Sequence, residues 1–120
     1  MMLRGANAVG YTNYPDSMVH KFWKQASKSG VNVSDIFNSL DYTDNLKLSF
    51  DAAGSTGGFV EGTLSYMGGI LDHNKGKYDI EYRINLARDI DAMGVHSLTV
   101  KNIVGLLTPR ATTTLILVLM

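Results

Sequence analysis

Strand-like and helical segments alternate along this chain, and the strand-like runs begin at Met2, Val31, Phe59 and Val95, about 28 to 36 residues apart. That interval is the length of a βα unit and too long for hairpins, so the strands must run parallel. The runs are Met2 to Val9, Val31 to Phe37, Phe59 to Tyr66 and Val95 to Lys101. Between the first two, Tyr14-Pro15-Asp16 opens a helix whose apolar stripe is Met18, Val19, Phe22, Trp23 and Ala26, and Gly30 stops it. Asp44 to Ala53 reads as a shorter helix closed by Gly54 and Gly57-Gly58. Asp79 to Met93 is a third, marked by Ile80, Ile84, Ala87 and Ile90 and ended by Gly94. Gly68-Gly69 through Asn74-Lys75-Gly76 is a loop of turn-forming residues.

An alternating βα pattern predicts either a doubly wound sheet or a (β/α)8 TIM-type barrel, with functional groups at the carboxyl ends of the strands. A complete barrel needs roughly 200 residues or more. At 120 residues the chain supplies one core and about half of such a barrel, as about four βα units. The apolar run Leu115 to Met120 reads as part of a helix whose apolar side expects a missing neighbour, with self-association as the alternative. It is too short for a bilayer, which takes about 20 residues.

Eleven basic residues balance eleven acidic ones, so no net field draws nucleic acid or an anionic membrane to the surface. With no cysteine, the chain has no disulfide, thiolate ligand or thiol nucleophile. The start MMLRGANAVG has no charged leader ahead of a long apolar stretch, so neither a secretory signal nor a transit peptide is expected there. The glycines form no phosphate-binding loop, because neither GK[ST] nor GxGxxG opens a helix after a strand.

The residues that carry chemistry are Arg4 and Tyr11, within Arg4-Gly5-Ala6-Asn7-Ala8-Val9-Gly10-Tyr11, and Lys101 at the end of the fourth run. A guanidinium, a phenol and an amine at strand ends can converge on one small anion. Spacing alone leaves Arg4 as a surface residue or a barrel-rim salt bridge, Tyr11 as a loop aromatic packing on the barrel, and Lys101 divided evenly between pocket and solvent. His96 lies five positions before Lys101, hence on the opposite face of a strand, and is expected to pack or cap. His20 belongs to the first helix and His73 to the glycine-rich loop, neither at ligand spacing from a partner. Glu61 shares a face with Thr63 and Ser65, where a lone carboxylate needs a cation or a donor.

RGANAVGYTNYPD at Arg4 to Asp16, IFNSL at Ile36 to Leu40, AAGSTGGFVEGTLSY at Ala52 to Tyr66 and KNIVGLLTP at Lys101 to Pro109 resemble the carboxyltransferase domain of the pyruvate carboxylases. The resemblance covers essentially the whole chain and makes residues 1–120 the central part of that domain, its third to sixth βα units. It implies transfer of a carboxyl group from carboxybiotin to pyruvate, giving oxaloacetate. Arg4 and Tyr11 match substrate-binding positions, and Lys101 matches a catalytic lysine that, when carbamylated, is a ligand of zinc or manganese. Biotin on a carrier domain and an ATP-using domain would lie outside this chain. The implied partners are pyruvate, that carrier and the remaining βα units. The full protein would be a homo-oligomer, in the mitochondrial matrix of a eukaryote or otherwise in the cytoplasm.

The chain departs from the family at strand ends, with Ser34-Asp35 for Phe-Arg, Asn38 and Asp41 for Asp and Asn, Met67-Gly68-Gly69 for Thr-Gly-Asp and Asn102-Ile103-Val104 for Asp-Met-Ala. Lost acids should weaken metal binding and its supporting hydrogen bonds. The first-strand aspartate and seventh-strand histidines of the family's metal site, like the glutamine and threonine of its substrate site, fall outside the segment. No Ala-Met-Lys-Met biotinylation sequence is present. The isolated chain is expected to be inactive and to hold no metal after dialysis. The alternative reading is a diverged, non-catalytic half-barrel serving as a binding or assembly module.

Overall fold

The computed structural model describes residues 1–71 and 78–120. The elements are β1 (Met2–Leu3), a 3-10 turn (Gly5–Asn7), α1 (Asp16–Lys28), β2 (Val33–Ile36), α2 (Thr43–Gly54), β3 (Phe59–Tyr66), α3 (Ile80–Ala92), β4 (Ser97–Asn102) and α4 (Pro109–Leu119). All neighbouring strands pair in parallel, in the order β1-β2-β3-β4. A doubly wound sheet would reverse its strand order part-way. This one advances in a single direction, as an arc of a barrel does.

The register separates two faces. Leu3, Ile36, Val60 and Leu64 point to the helices and share one buried cluster with Val19 and Trp23 of α1, Leu46 and Phe50 of α2, and Leu86 and Ile90 of α3. Tyr66 and Ile70 pack with Ala111 and Leu115 in a second cluster under α4. The concave face carries Met2, Asp35, Glu61, Thr63, Ser65, Thr99 and Lys101. In a flat sheet, three strand spacings of about 4.8 Å would separate β1 from β4 by about 14 Å. Yet Lys101 Nζ lies 3.2 Å from Met2 Sδ. The sheet therefore curls until its two edge strands touch through their side chains.

The polar groups of this concave face are bonded between adjacent strands. Thr63 Oγ1 donates to Asp35 Oδ1, and Thr99 Oγ1 donates to Glu61 Oε1. Glu61 thus finds a hydroxyl donor on the next strand. His96, just before β4, accepts a hydrogen bond at Nδ1 from the Val60 amide and lies against the Phe59 ring, with centroids 5.0 Å apart. It caps the end of the β3–β4 ladder, as its position on the strand predicts.

Several sequence expectations shift. The first strand ends at Leu3, not Val9, because the backbone turns left-handed at Gly5 (φ 53) and again at Ala8 (φ 46). Met18 and His20 of α1 are exposed, the buried stripe being Val19, Trp23 and Ala26. Helix α4 begins at Pro109, capped by Thr108 Oγ1 accepting from the Ala111 amide at 3.3 Å. Ile116, Leu117, Val118 and Met120 are exposed, Leu117 by 68%. That unpartnered side is the one the sequence predicts. His73 and Asn74-Lys75-Gly76 lie outside the described residues. No described helix is long and apolar enough to cross a membrane.

Gly62 marks where the sheet meets the helices most closely. A Cβ there would press into Ile90 Cγ2 and come within 3.1 Å of Val95 Cγ1 and 3.3 Å of Phe50 Cζ. Ile90 is fully buried and, being β-branched in a helix, has essentially one χ1 rotamer. Gly62→Val is expected to lower unfolding free energy by about 1 to 3 kcal/mol, the usual cost of overpacking. Urea unfolding checks this, and an unchanged midpoint would show that α3 can yield.

Candidate functional site

The carboxyl ends of β1 and β2 open into a groove of about 400 Å³ lined by Arg4, Asn7, Gly10, Tyr11, Phe37, Asn38 and Ser39. The loop after β1 supplies its cationic wall. There the Arg4 guanidinium sits 4.7 Å from the centroid of the Tyr11 ring, and its Nη1 donates to the Gly10 carbonyl at 3.4 Å. Tyr11 is 88% exposed, so it stands over the groove as a flap and not within a closed pocket. Stacking of this kind holds the guanidinium plane while leaving its remaining donors for a ligand.

The structure brings two of the three candidate residues together directly and the third through an intermediary. Arg4 and Tyr11 touch and share the groove. Lys101, at the far end of the arc, projects its ammonium 3.3 Å from the centroid of Phe37, which lines the same groove. Ser65 and Lys101 are register partners, so Lys101 rises from the concave face at the strand ends. Among the described residues the Lys101 ammonium meets an aromatic face and a thioether and no stronger acceptor, which leaves the amine chemically available.

Beneath the groove lies a polar network that period and motif do not reveal. Asp41, with a left-handed backbone (φ 51), accepts a 3.0 Å hydrogen bond at Oδ1 from the Ser65 amide. Ser65 Oγ donates to the Asn38 carbonyl at 3.0 Å. Arg83, 1% exposed, donates from Nη1 to the Ser65 carbonyl and from Nη2 to the Gly68 carbonyl, both at 3.1 Å, with its Cζ 4.7 Å from the Tyr66 ring centroid. Asn38 and Asp41, both in the loop after β2, are thereby tied to one serine, and Arg83 joins that serine to Gly68 in the loop after β3. The available signal for Arg83 is a charge placed on the helical stripe Ile80, Arg83, Ala87, Ile90, where burial is expected.

Burial raises the carboxyl of Asp41 above its ordinary range, outweighing the Ser65 hydrogen bonds and then the attraction of Arg83. Burial likewise lowers the Arg83 guanidinium. A raised folded-state value means that Asp41's contribution is fully present below its unfolded pKa of about 3.9 and is lost as pH rises through the folded value. An asparagine keeps the acceptor for Ser65 and the tolerance for a left-handed backbone without a charge to bury. Asp41→Asn is therefore expected to match the parent near pH 3 and to be the more stable of the two at pH 7. Urea unfolding at both values decides, and a variant less stable at pH 7 would mean that the Arg83 attraction dominates.

Among the described residues no group of three or more metal-ligating side chains comes together. Lys101 would offer one ligand toward a metal ion.

No family model matches the chain. It is 49% identical over 116 residues to mitochondrial pyruvate carboxylase of Rattus norvegicus, covering 97% of this chain and 10% of that protein. It is 45% identical over 111 residues to pyruvate carboxylase of Bacillus subtilis, covering 92% of this chain and 10% of that protein. The chain thus spans about a tenth of the length of the curated relatives it matches. Its fold matches the carboxyl transferase domain of Rhizobium etli pyruvate carboxylase solved with 3-bromopyruvate, with TM-score 0.96 and 41% identity over 99% of this chain and 20% of that one. The same domain with pyruvate and biocytin matches with TM-score 0.95 and 41% identity, at the same coverage of each chain. In sequence and fold, the chain is similar along its whole described length to a piece of that domain.

Proposed function

We propose that residues 1–120 are the central part of the carboxyltransferase domain of a biotin-dependent pyruvate carboxylase, in which Arg4 and Tyr11 bind pyruvate and Lys101 is catalytic. The observation that carries this reading is the joint wall of Arg4 and Tyr11 over a groove at the carboxyl ends of parallel strands. Solved relatives hold pyruvate and biocytin in this domain, which supports a small 2-oxo acid and a biotin carrier as its partners.

The residues suit the chemistry. Pyruvate must lose a methyl proton, and the resulting enolate must attack carbon dioxide to give oxaloacetate. Arg4 presents a planar fork of donors, the right shape for a carboxylate and for the oxygen on which enolate charge develops. Phe37 provides an apolar floor, which strengthens those bonds by excluding water. Tyr11, exposed, offers a phenol to substrate or to the incoming biotin ring and covers one face of the Arg4 guanidinium. The ammonium of Lys101 adds positive charge at the same end of the arc. Carboxybiotin, when its carrier docks, would supply the carbon dioxide, and the ureido nitrogen left behind would take up the methyl proton. Lys101 in carbamylated form would be one ligand of a zinc or manganese ion whose other ligands come from elsewhere in the barrel. The whole protein would be a homo-oligomer, mitochondrial in a eukaryote, as the rat relative's name indicates for that protein, and cytoplasmic in a bacterium.

The test is a graft. This segment replaces its counterpart in full-length Rhizobium etli pyruvate carboxylase, and oxaloacetate formation is followed. Activity within about tenfold of the parent is expected, a barrier change of about 1.4 kcal/mol. A folded, biotinylated and inactive graft would favour the non-catalytic half-barrel.

A further inference from the structure

The loop that carries Arg4 and Tyr11 is bonded mostly to itself. The Asn7 amide donates to the Arg4 carbonyl, Ala8 to Gly5, Arg4 to Ala8 and Gly10 to Asn7, at 2.7 to 3.1 Å. Those bonds shape the loop without fixing it to the arc. Besides the Tyr14 amide at the entry to α1, which donates to the Ala6 carbonyl at 3.1 Å, the fixing bonds come from one amide on α2. Asn45 Oδ1 accepts from the Ala6 amide at 2.8 Å, while its Nδ2 donates to Asn13 Oδ1 at 2.9 Å and to Asn7 Oδ1 at 3.4 Å.

Asn45 is itself held rigidly. It is 7% exposed, in the first turn of α2, and its neighbours Leu46 and Phe50 belong to the main core. A single planar amide can accept at one atom and donate twice at the other, which neither leucine nor aspartate can do. We propose that Asn45 is a positioning residue for substrate capture, locking the loop after β1 so that Arg4 and Tyr11 meet over the groove. This rests on the reading of that groove as a pyruvate site. Asn45 is not among the residues that line the groove and acts through the backbone at Ala6 and the side chains of Asn7, within the Arg4-to-Tyr11 turn, and Asn13, just beyond it.

The experiment uses the full-length graft described above. Asn45→Ala is expected to lower kcat/KM for pyruvate at least about tenfold, chiefly through KM, because a displaced binding group costs far more rate than its distance suggests. Asn45→Asp is expected to recover to within about threefold, since the carboxylate still accepts from Ala6 and the Asn13 amide can turn its own Nδ2 inward. In an Arg4→Ala background, Asn45→Ala should add less than about twofold, because residues acting as one unit are non-additive. Hydrogen exchange of the peptide spanning Gly5 to Asn13, read in the same graft whether or not it turns over, should quicken in Asn45→Ala and stay slow in Asn45→Asp. Additive losses in the double variant, an unaffected kcat/KM in an active graft, or unchanged exchange would each overturn the proposal. A graft inactive before mutation would sink the pyruvate reading alone, and the exchange measurement would still decide whether Asn45 holds the loop.

Discussion

Arg4→Lys, placed in a complete carboxylase carrying this segment, lowers kcat/KM for pyruvate about a hundredfold or more, the equivalent of about 3 kcal/mol. The size follows from geometry, not from charge, which the substitution conserves. The guanidinium lies over Tyr11, 4.7 Å from the ring centroid, and spends one bond on the Gly10 carbonyl, leaving its other donors at the groove it lines. An ammonium can stack on Tyr11, but it cannot present two parallel donors to a carboxylate. Steady-state kinetics with varied pyruvate reads the loss. A loss below about threefold would show that only positive charge matters at this position, and would weaken the substrate assignment with it.

The second large effect is expected at Gly5→Ala. Gly5 has φ 53, a region that costs an L-residue about 1 to 2 kcal/mol. Its Cβ would also collide with Asn45 Oδ1 and come within 3.1 Å of the Asn45 carbonyl. The amide of Asn45 would have to swing away, breaking its bond to Ala6 and leaving a buried donor unmatched at a further cost of about 1 to 3 kcal/mol. Together a loss of about 3 kcal/mol in unfolding free energy is expected, read by urea denaturation. Activity should fall further than stability predicts, since the collision dislodges the loop that bears Arg4. A variant with wild-type stability would mean that the turn can re-form with a side chain present.

How far the fold was legible depends on whether a segment has a period. The third strand, Phe59–Tyr66, and the helix and strand that follow it sit within a few residues of their expected ends because their apolar positions repeat every two or every 3.6 residues. The first strand was overextended because Ala6, Ala8 and Val9 are small and apolar without a period, and what bends them is backbone conformation at Gly5 and Ala8. The choice between a doubly wound sheet and a barrel needed the strand order, which spacing does not encode. Arg4, Tyr11 and Lys101 were found through motif context, and the Arg4 contact with Tyr11 then emerged from the loop's own turn. Asn45 escaped notice because its partners lie 32 to 39 positions away. It could have been suspected as a polar residue four before Ser49 and eight before Ala53, on the stripe of α2 that is buried.

The strand order carries a consequence for how the chain acquires its shape. Each strand pairs only with the strand next to it along the chain, so every sheet contact closes a loop of one βα unit. Each closure spans 26 to 36 positions, so the parallel pairing is slow to form, but a nascent chain can lay down its units in the order of synthesis. The Lys101 contact with Met2 is different, spanning 99 positions and requiring all four strands to be in place. Curvature would then be the last property of the arc to form, and the Lys101 ammonium would reach Phe37 only once the sheet beneath it was complete.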